Sequence, residues 1–465
     1  TGRTHVLNGR GEPGGGTRHH RRTQAVGGDP DFQYPRRGAG LGRGRSPLRL
    51  RRQPHRLSRL NIGNDNRSWR TLVIYPDDAV RLMTSFCHAP DTETATLASA
   101  LGRIIPSPVV SSMDQPPFDK AAMDGWAWQA GEGGPLPLEP LRARNVIAAG
   151  DSDERPLEPG ETVKIMTGAP LPPGADRIQR VEWSEERDGR VTFSRSETVS
   201  NIIMRGENIR KGDELLCPRI LKAQDLAILA ADGRASIDVA RRPIVGILST
   251  GTELTEPGSS LAPGRIYDSN RTQILAQLAG GICAPTDLGS LPDDYAETKA
   301  AIRSALETCD VLVLSGGVSM GDFDYVPRAL AACGVRKEFH GVAMKPGKPT
   351  FFGRTDRAFV FGLPGNPVSV FVNTELLVKP LLAALSGITI KPLAVPVRLA
   401  ECICRKPANR VEFLPVRIDG DGAHPVRYGG SSALQALADA DGFIRLEIDE
   451  TDIKEGSTRN VRLVR

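Results

Sequence analysis

The chain has 465 residues, 39% of them hydrophobic and 25% charged, with a formal net charge of +5; that length exceeds what one hydrophobic core usually serves and predicts several domains. No uninterrupted apolar run reaches the roughly 18 residues of a membrane-spanning helix, because the most apolar stretch, 359–388, is broken by Pro364, Asn366, Pro367, Glu375 and Lys379, so a soluble, cytoplasmic protein with no membrane partner is expected. The charge is lopsided: residues 1–70 carry sixteen Arg, no Lys and four acids, while the remainder holds 44 basic and 51 acidic side chains, and this mildly acidic body does not suggest nucleic acid as a partner.

In chain order, residues 1–70 are rich in Gly, Pro and Arg without an apolar period and read as a disordered basic extension. They lack the apolar stretch of a signal peptide and the amphipathic pattern of a transit peptide; a nucleic-acid-binding arm is the alternative. "YPDDAVRLM" then predicts a short helix. Residues 71–115 together with 205–240 read as a mixed linking domain, with 71–85 open to packing on the α/β domain, and "KAQDLAILAADG" in the second part predicts a helix ending at a glycine. Between them, 116–204 holds short β-type runs split by turn residues, as in "PLEPGETV" and "ERDGRVTF", and predicts a β-rich domain.

Residues 241–390 alternate apolar β runs ("PIVGILST", "CAPTDLGS", "CDVLVLSGG", "EFHGVAM", "AFVFGLPG") with helical patterns near 270–279, 295–308, 325–332 and 367–385. That alternation predicts an α/β domain with a doubly wound, mostly parallel sheet. Residues 391–465 read as short strands forming a small β-barrel. The fold class is thus α/β plus β. Seven Cys without a CxxC pair read as thiols of a reducing compartment, with Cys402 and Cys404 on one face of a strand.

In open parallel sheets ligands bind beyond the carboxyl ends of the strands, and the unusual residues of this chain follow those ends. They are Ser249, Thr250, Gly251 and Glu253 after the first run; Asp293 and Asp294 after the second; and Ser315 to Tyr325, "SGGVSMGDFDY", after the third. Next come "AMKPGKP", where prolines stiffen a loop bearing Lys345 and Lys348, and finally "GLPGNPVS", where Asn366 is placed to cap the helix that Pro367 starts. Taken singly, each loop is equally a turn or a solvated edge. Together they pair anion donors, the glycine-loop amides and two lysines, with hard oxygen ligands, Asp293, Asp324 and Ser319, as a Mg²⁺-dependent phosphate or phosphoanhydride site requires. No Walker A or GxGxxG pattern is present in residues 241–390. Asp119, Asp124 and Thr167, within "PPFDKAAMDGWAW" and "KIMTGAPLPPGAD", read on their own as turn residues.

From about Leu72 to the C-terminus the sequence resembles the molybdopterin molybdenumtransferases, the MoeA proteins and the gephyrin E domain. The resemblance rests on nine collinear strings: "FDKAAMDGWA", "MTGAPLPPGAD", "RGENIRKGDEL", "STGTEL", "IYDSN", "SGGVSMGDFDY", "AMKPGKP", "GLPGNPVS" and "GSSALQALADADG". It implies an elongated four-domain protomer with a MogA-like molybdopterin-binding α/β domain. It also implies a homodimer whose cleft combines the α/β domain of one chain with the β-rich domain of the other. The implied reaction converts adenylylated molybdopterin and molybdate to molybdenum cofactor and AMP with Mg²⁺, the adenylyltransferase upstream and apo-molybdoenzymes being further partners.

Carried over by position, Asp293, Ser319 and Asp324 would surround the metal and phosphoanhydride. Lys345 and Lys348, with Ser369 and Arg410, would hold molybdate, both lysines mattering. Asp124, Thr167, Glu253, Pro364 and Pro367 match cleft positions, and Ser249, Thr250, Gly251, Asp268, Asn270, Ser315, Gly316, Gly317, Gly321, Asp322 and Asn366 complete the substrate-binding set. Departures from the family pattern are Lys120-Ala121 in place of Asn-Ser, Trp126 in place of Tyr, Asn208 in place of an acid, and Gly341 where some members carry a lysine. A scaffold of the same fold, as gephyrin is, and a related molybdopterin adenylyltransferase are the alternative readings.

Overall fold

The computed structural model describes residues 73–131, 135–318, 325–426 and 429–464; the expected extension at 1–70 lies outside them. The α/β region runs β1 (Ile244–Thr250), α1 (Ser269–Leu278), β2 (Ala284–Leu291), α2 (Tyr295–Thr308), β3 (Val311–Ser315), α3 (Val326–Ala332), β4 (Arg336–His340), β5 (Phe351–Arg354), β6 (Phe359–Leu363) and α4 (Pro367–Asn373). The sheet order is β2-β1-β3-β6-β5-β4. Strands β2, β1, β3 and β6 are parallel. Strand β5 is antiparallel to both β6 and β4, so β4 runs in the same sense as the first four.

The near-continuous apolar runs of these strands follow from burial on both faces. Val245, Ile247, Val311, Val313, Phe361 and Leu363 enter one core with Ile274 and Leu278 of α1 and Val370 and Val372 of α4. The alternate residues Leu248, Leu312, Leu314 and Val360 enter a second core with Ile302 of α2 and Leu330 of α3. The predicted helix at "YPDDAVRLM" is Pro76–Thr84, and its Ala79 and Met83 pack into the first core. Phe339, Phe352 and Phe361 are wholly buried there, with centroids 5.4 Å and 5.1 Å apart; truncating any one to Ala would cost about 3–5 kcal/mol.

The expected single helix over 367–385 is interrupted. After α4 the backbone widens into a π-helical turn, Thr374–Val378, before α5 (Lys379–Leu385) resumes. Pro380 explains the break, because it has no N–H to return to a carbonyl one turn earlier and its ring crowds that turn. This run is the one described helix long and apolar enough to cross a membrane, yet most of it is buried inside the protein.

Three further β regions accompany this sheet in the chain. A six-stranded sheet in 116–204 has the order Arg177–Arg180, Gly125–Trp128, Glu161–Ile165, Leu141–Ile147, Arg190–Phe193, Ser184–Arg187. The stretches on either side of it pair with each other, Thr92–Thr96 with Ser236–Ala240 and Ile104–Ile105 with Arg219–Ile220. In the C-terminal region Val411–Asp419 pairs with Gly442–Leu446, which pairs with Thr458–Leu463, which pairs with Ala394–Arg398. The hairpin partner Gly422–Pro425 meets Leu399 through an isolated bridge at Ala423. One short strand of the α/β region, Met344–Lys345, joins this last sheet in register with Val411–Glu412.

Candidate functional site

Because β1, β2, β3, β4 and β6 run the same way, the loops after them meet at one sheet edge. Gly316 (φ 91°) lets the β1 and β3 loops touch: a Cβ there would lie 2.2 Å from the Thr250 carbonyl oxygen, a clash that only glycine avoids. Ser249 Oγ donates to Asp268 Oδ1 at 3.2 Å, and Asp268 caps α1 by accepting from Arg271 N. Asn270 Nδ2 bonds Ser315 Oγ at 3.0 Å and the Gly365 carbonyl at 2.7 Å, which ties α1 to the ends of β3 and β6. Among the described residues Thr250 Oγ1 and Asn270 Oδ1 are buried with no hydrogen-bond partner, which is rare in a folded chain and marks places where a guest can bond.

Arg271, 5% exposed, anchors this loop cluster from behind. It meets Asp268 at 3.1 Å, Asp287 at 2.7 Å and Glu256 in a short contact. Burial opposes its charge, but the bonds to Asp287 and Asp268 and the field of Glu256 hold its pKa above the ordinary arginine value. At the outer strand, Asp293 and Thr252 bond reciprocally, Thr252 N to Asp293 Oδ2 and Asp293 N to Thr252 Oγ1, each at 3.0 Å. Asp294 caps α2 through Glu297 N at 2.8 Å.

The lysine loop leaves β4 and returns as β5. Val342 N bonds the Lys348 carbonyl at 2.9 Å across its base, and Thr350 Oγ1 bonds Asn373 Oδ1 at 2.8 Å while Asn373 Nδ2 bonds the Ser369 carbonyl at 2.9 Å. Gly347 (φ 104°) presses on Asn373, leaving no room for a Cβ. The loop forms one wall of a cavity of about 800 Å³. Lys345, Lys348, Pro364, Asn366, Ser369 and Arg410 all line it, joined by Glu412, Cys402, Cys404 and Ser431 of the C-terminal region. Lys345 Nζ lies 2.8 Å from Glu412 Oε1, and Arg405 holds the other oxygen at 3.2 Å. Lys348 and Arg410 have no ion-pair partner among the described residues.

One local expectation is corrected here. Asn366 does occupy the N-cap position of α4, but its side chain does not cap the helix. It donates instead to Ser431 Oγ at 2.8 Å, across to the C-terminal region. With Pro367 at the first helical position one backbone donor is already gone, and the amide is better used in the interdomain bond.

Residues 74–233 match the family described as the MoeA N-terminal region (domain I and II), 246–384 the probable molybdopterin binding domain, and 397–463 the MoeA C-terminal region (domain IV). A Bacillus subtilis (strain 168) protein named molybdopterin molybdenumtransferase is 34% identical over 403 residues, 84% of this chain and 94% of its own length. The chain belongs to the MoeA family. A Haemophilus influenzae protein of the same name is 35% identical over 381 residues, 79% of this chain and 92% of its own length. A crystal structure of the molybdopterin biosynthesis MoeA protein from Pyrococcus horikosii has a TM-score of 0.71 and 33% identity, with 84% of this chain and 99% of that one covered.

Within this MoeA chain, Ser319, Gly321, Asp322 and Asp324 lie outside the described residues. Ser249, Thr250 and Ser315 end β1 and β3, Asp268 and Asn270 start α1, and Gly251, Glu253, Asp293, Gly316 and Gly317 follow β1, β2 and β3, whereas the lysines and Arg410 line the cavity beyond β6. From β2 to β6 is three strand spacings, about 14 Å. Asp124, just before Gly125–Trp128, and Thr167, just after Glu161–Ile165, flank strands of the six-stranded sheet and do not line the cavity. Both are exposed, and Thr167 N and Oγ1 donate to Asp124 Oδ1 at 2.7 Å and 2.6 Å. Gly341, where some MoeA members carry lysine, is buried with φ 119°, a conformation that disfavours any side chain. Trp126 is buried, 3% exposed, with Lys164 Nζ 5.8 Å from its ring. Sequence reasoning missed Glu412, Arg405 and Ser431. The alternation in "RVEF" carried the signal for Glu412, since a residue two along a strand from Arg410 shares its face.

Proposed function

We propose that this chain inserts molybdate into adenylylated molybdopterin, releasing AMP and giving molybdenum cofactor. The single observation that carries the proposal is the cavity in which Lys348 and Arg410, without ion-pair partners among the described residues, converge with Lys345 and Ser369. At 4 Å a unit charge pair is worth about 4 kcal/mol at an effective dielectric near 20, enough to hold a small dianion. The pterin and nucleotide parts of the substrate would extend from there along the sheet edge toward Asp293. Thr250 Oγ1 and Asn270 Oδ1, buried on that path without a partner among the described residues, would meet its polar groups. The substrate's dithiolene supplies the sulfurs, so the protein's work is positioning and charge neutralisation; no protein nucleophile is required.

Mg²⁺ fits Asp293. Its carboxylate is exposed, with Oδ2 fixed by Thr252 N, and Mg²⁺ characteristically takes one or two carboxylates and completes its shell with phosphate oxygens and water. Asp293, with Asp324 and Ser319, would hold the ion, which would neutralise phosphoanhydride charge when bound. Glu253 stands beside the same loop.

Asp124 and Thr167 are exposed, bonded to each other and not part of the cavity lining; we assign them to the cleft of the partner protomer in a homodimer. The protomer would comprise a linking domain (71–115 plus 205–240), a β-rich domain (116–204), a doubly wound α/β domain (241–390) and a C-terminal small barrel (391–465), in the cytoplasm. The bridge from Leu399 to Ala423, which returns the last sheet upon itself, supports the barrel, and helices in both cores flanking the parallel strands support double winding. The deciding experiment supplies purified protein with adenylylated molybdopterin, Mg²⁺ and molybdate and follows AMP release and activation of an apo-molybdoenzyme. AMP release independent of molybdate, or no cofactor formed, would refute the proposal.

A further inference from the structure

We infer that Glu412 is a positioning residue that keeps Lys345 in reserve, so that an incoming oxyanion is caught by Lys348 and Arg410 and engages Lys345 only by drawing it away from Glu412. The inference rests on the proposed oxyanion role of the cavity. The pair is built into the backbone: Lys345 and Glu412 are register partners where the lysine loop joins the C-terminal sheet, and the salt bridge spans 2.8 Å. The two ends are unequal. The Glu412 side chain is 9% exposed and that of Lys345 is 54% exposed.

Arg405 fixes the second oxygen of Glu412, and Arg405 is itself held by the carbonyls of Glu450 and Glu447. The carboxylate therefore cannot turn away, whereas the ammonium, on a flexible four-carbon stem with its charge at the cavity surface, can. Two lysines three residues apart in one stiff loop thus differ in electrostatic state. Lys348 offers an uncompensated charge, while the attraction of Lys345 for a guest is offset by the cost of leaving a nearly buried carboxylate with one partner fewer. Glu412 also lowers the net positive charge felt by any anion in the cavity, so it sets the affinity as well as the geometry.

Molybdate titration by calorimetry on the full chain tests this, using wild type, E412Q, K345M, K348M and the E412Q/K345M double variant. E412Q should tighten molybdate binding by about fivefold, because a repelling charge is removed and Lys345 is released. K348M should weaken it about thirtyfold and K345M only about threefold in the wild-type background, but K345M should cost about thirtyfold once Glu412 is Gln, a coupling that a merely structural role would not produce. Equal costs for K345M in both backgrounds, or weaker binding by E412Q, would overturn the inference. E412D, which keeps the charge, should bind as wild type does, and the K345M against K348M asymmetry decides the matter without touching Glu412 if E412Q does not fold. No molybdate binding by wild type would overturn the oxyanion reading itself; binding that needs Lys348 with an additive cycle would overturn only the role of Glu412.

Discussion

Asn366 Nδ2 donates to Ser431 Oγ at 2.8 Å, and beside it Val368 N donates to the Ser431 carbonyl at 3.1 Å, so the first turn of α4 is bonded to a loop of the C-terminal region. Asn366 and Ser431 both line the cavity beside the lysine loop. Asn366→Ala removes one exposed bond, worth about 1 kcal/mol net. If that energy holds the wall in place, molybdate affinity should fall about fivefold with little change in thermal midpoint. Calorimetry on both proteins checks this, and unchanged affinity would mean that the backbone bond alone positions the wall.

The contrast between Lys345 and Asn366 explains what could be read in advance. The parallel strands were legible because both their faces are buried, which gives unbroken apolar runs, and the loops at their carboxyl ends stood out because lysine, proline and glycine crowd there. Lys345, Lys348, Ser369 and Arg410 do share one cavity. The side-chain partners were not legible, because a hydrogen bond between Asn366 and Ser431, or an ion pair between Lys345 and Glu412, joins residues 65 or more apart in sequence whose meeting depends on how two regions dock. The π-helical turn was readable in principle from Pro380, but the apolar pattern around it is continuous and masks the break.

Arg271 should behave as a structural keystone of the β1 loop. Its partner Asp268 is 1% exposed, so Arg271→Met leaves a buried carboxylate short of its guanidinium, a change that costs about 3 kcal/mol. Asp287 and Glu256 are far more exposed and contribute little. The shift in urea midpoint relative to wild type measures the loss, and Arg271→Lys, which keeps charge but not the planar fork, should fall between them. A loss below about 1 kcal/mol would show that water reaches Asp268 once the arginine is gone.

The thiols should divide by burial. Burial pushes Cys283 and Cys87 up to about 11, and at pH 8 almost no thiolate exists on either to react. Cys217, Cys402 and Cys404 are exposed, although the bond that Cys404 shares with Asp452 holds its thiol above the ordinary value. Alkylation followed by peptide mass analysis should label Cys217 and Cys402 first, Cys404 later, and Cys283 and Cys87 last. Since Cys402 lines the cavity proposed to hold the oxyanion, molybdate should slow its labelling and leave Cys217 unaffected; equal slowing at both would place the anion elsewhere.

Thr167 should set the titration of Asp124. The hydroxyl of Thr167 first, and its backbone N–H second, donate to the carboxylate and hold its pKa below the usual aspartate value. A depressed pKa in the folded state contributes stability that is present above the unfolded value of about 3.9 and is lost as pH falls through the folded value. Thr167→Val keeps the N–H but removes the larger cause, so Asp124 should titrate at higher pH in the variant, as followed by carboxyl carbon shifts. The variant should be less stable than wild type at pH 7, and the difference should vanish once the pH has fallen through the folded value of both carboxyls. Identical titration midpoints would mean that the backbone bond alone depresses Asp124, and the hydroxyl would then be left available to a ligand rather than committed to its neighbour.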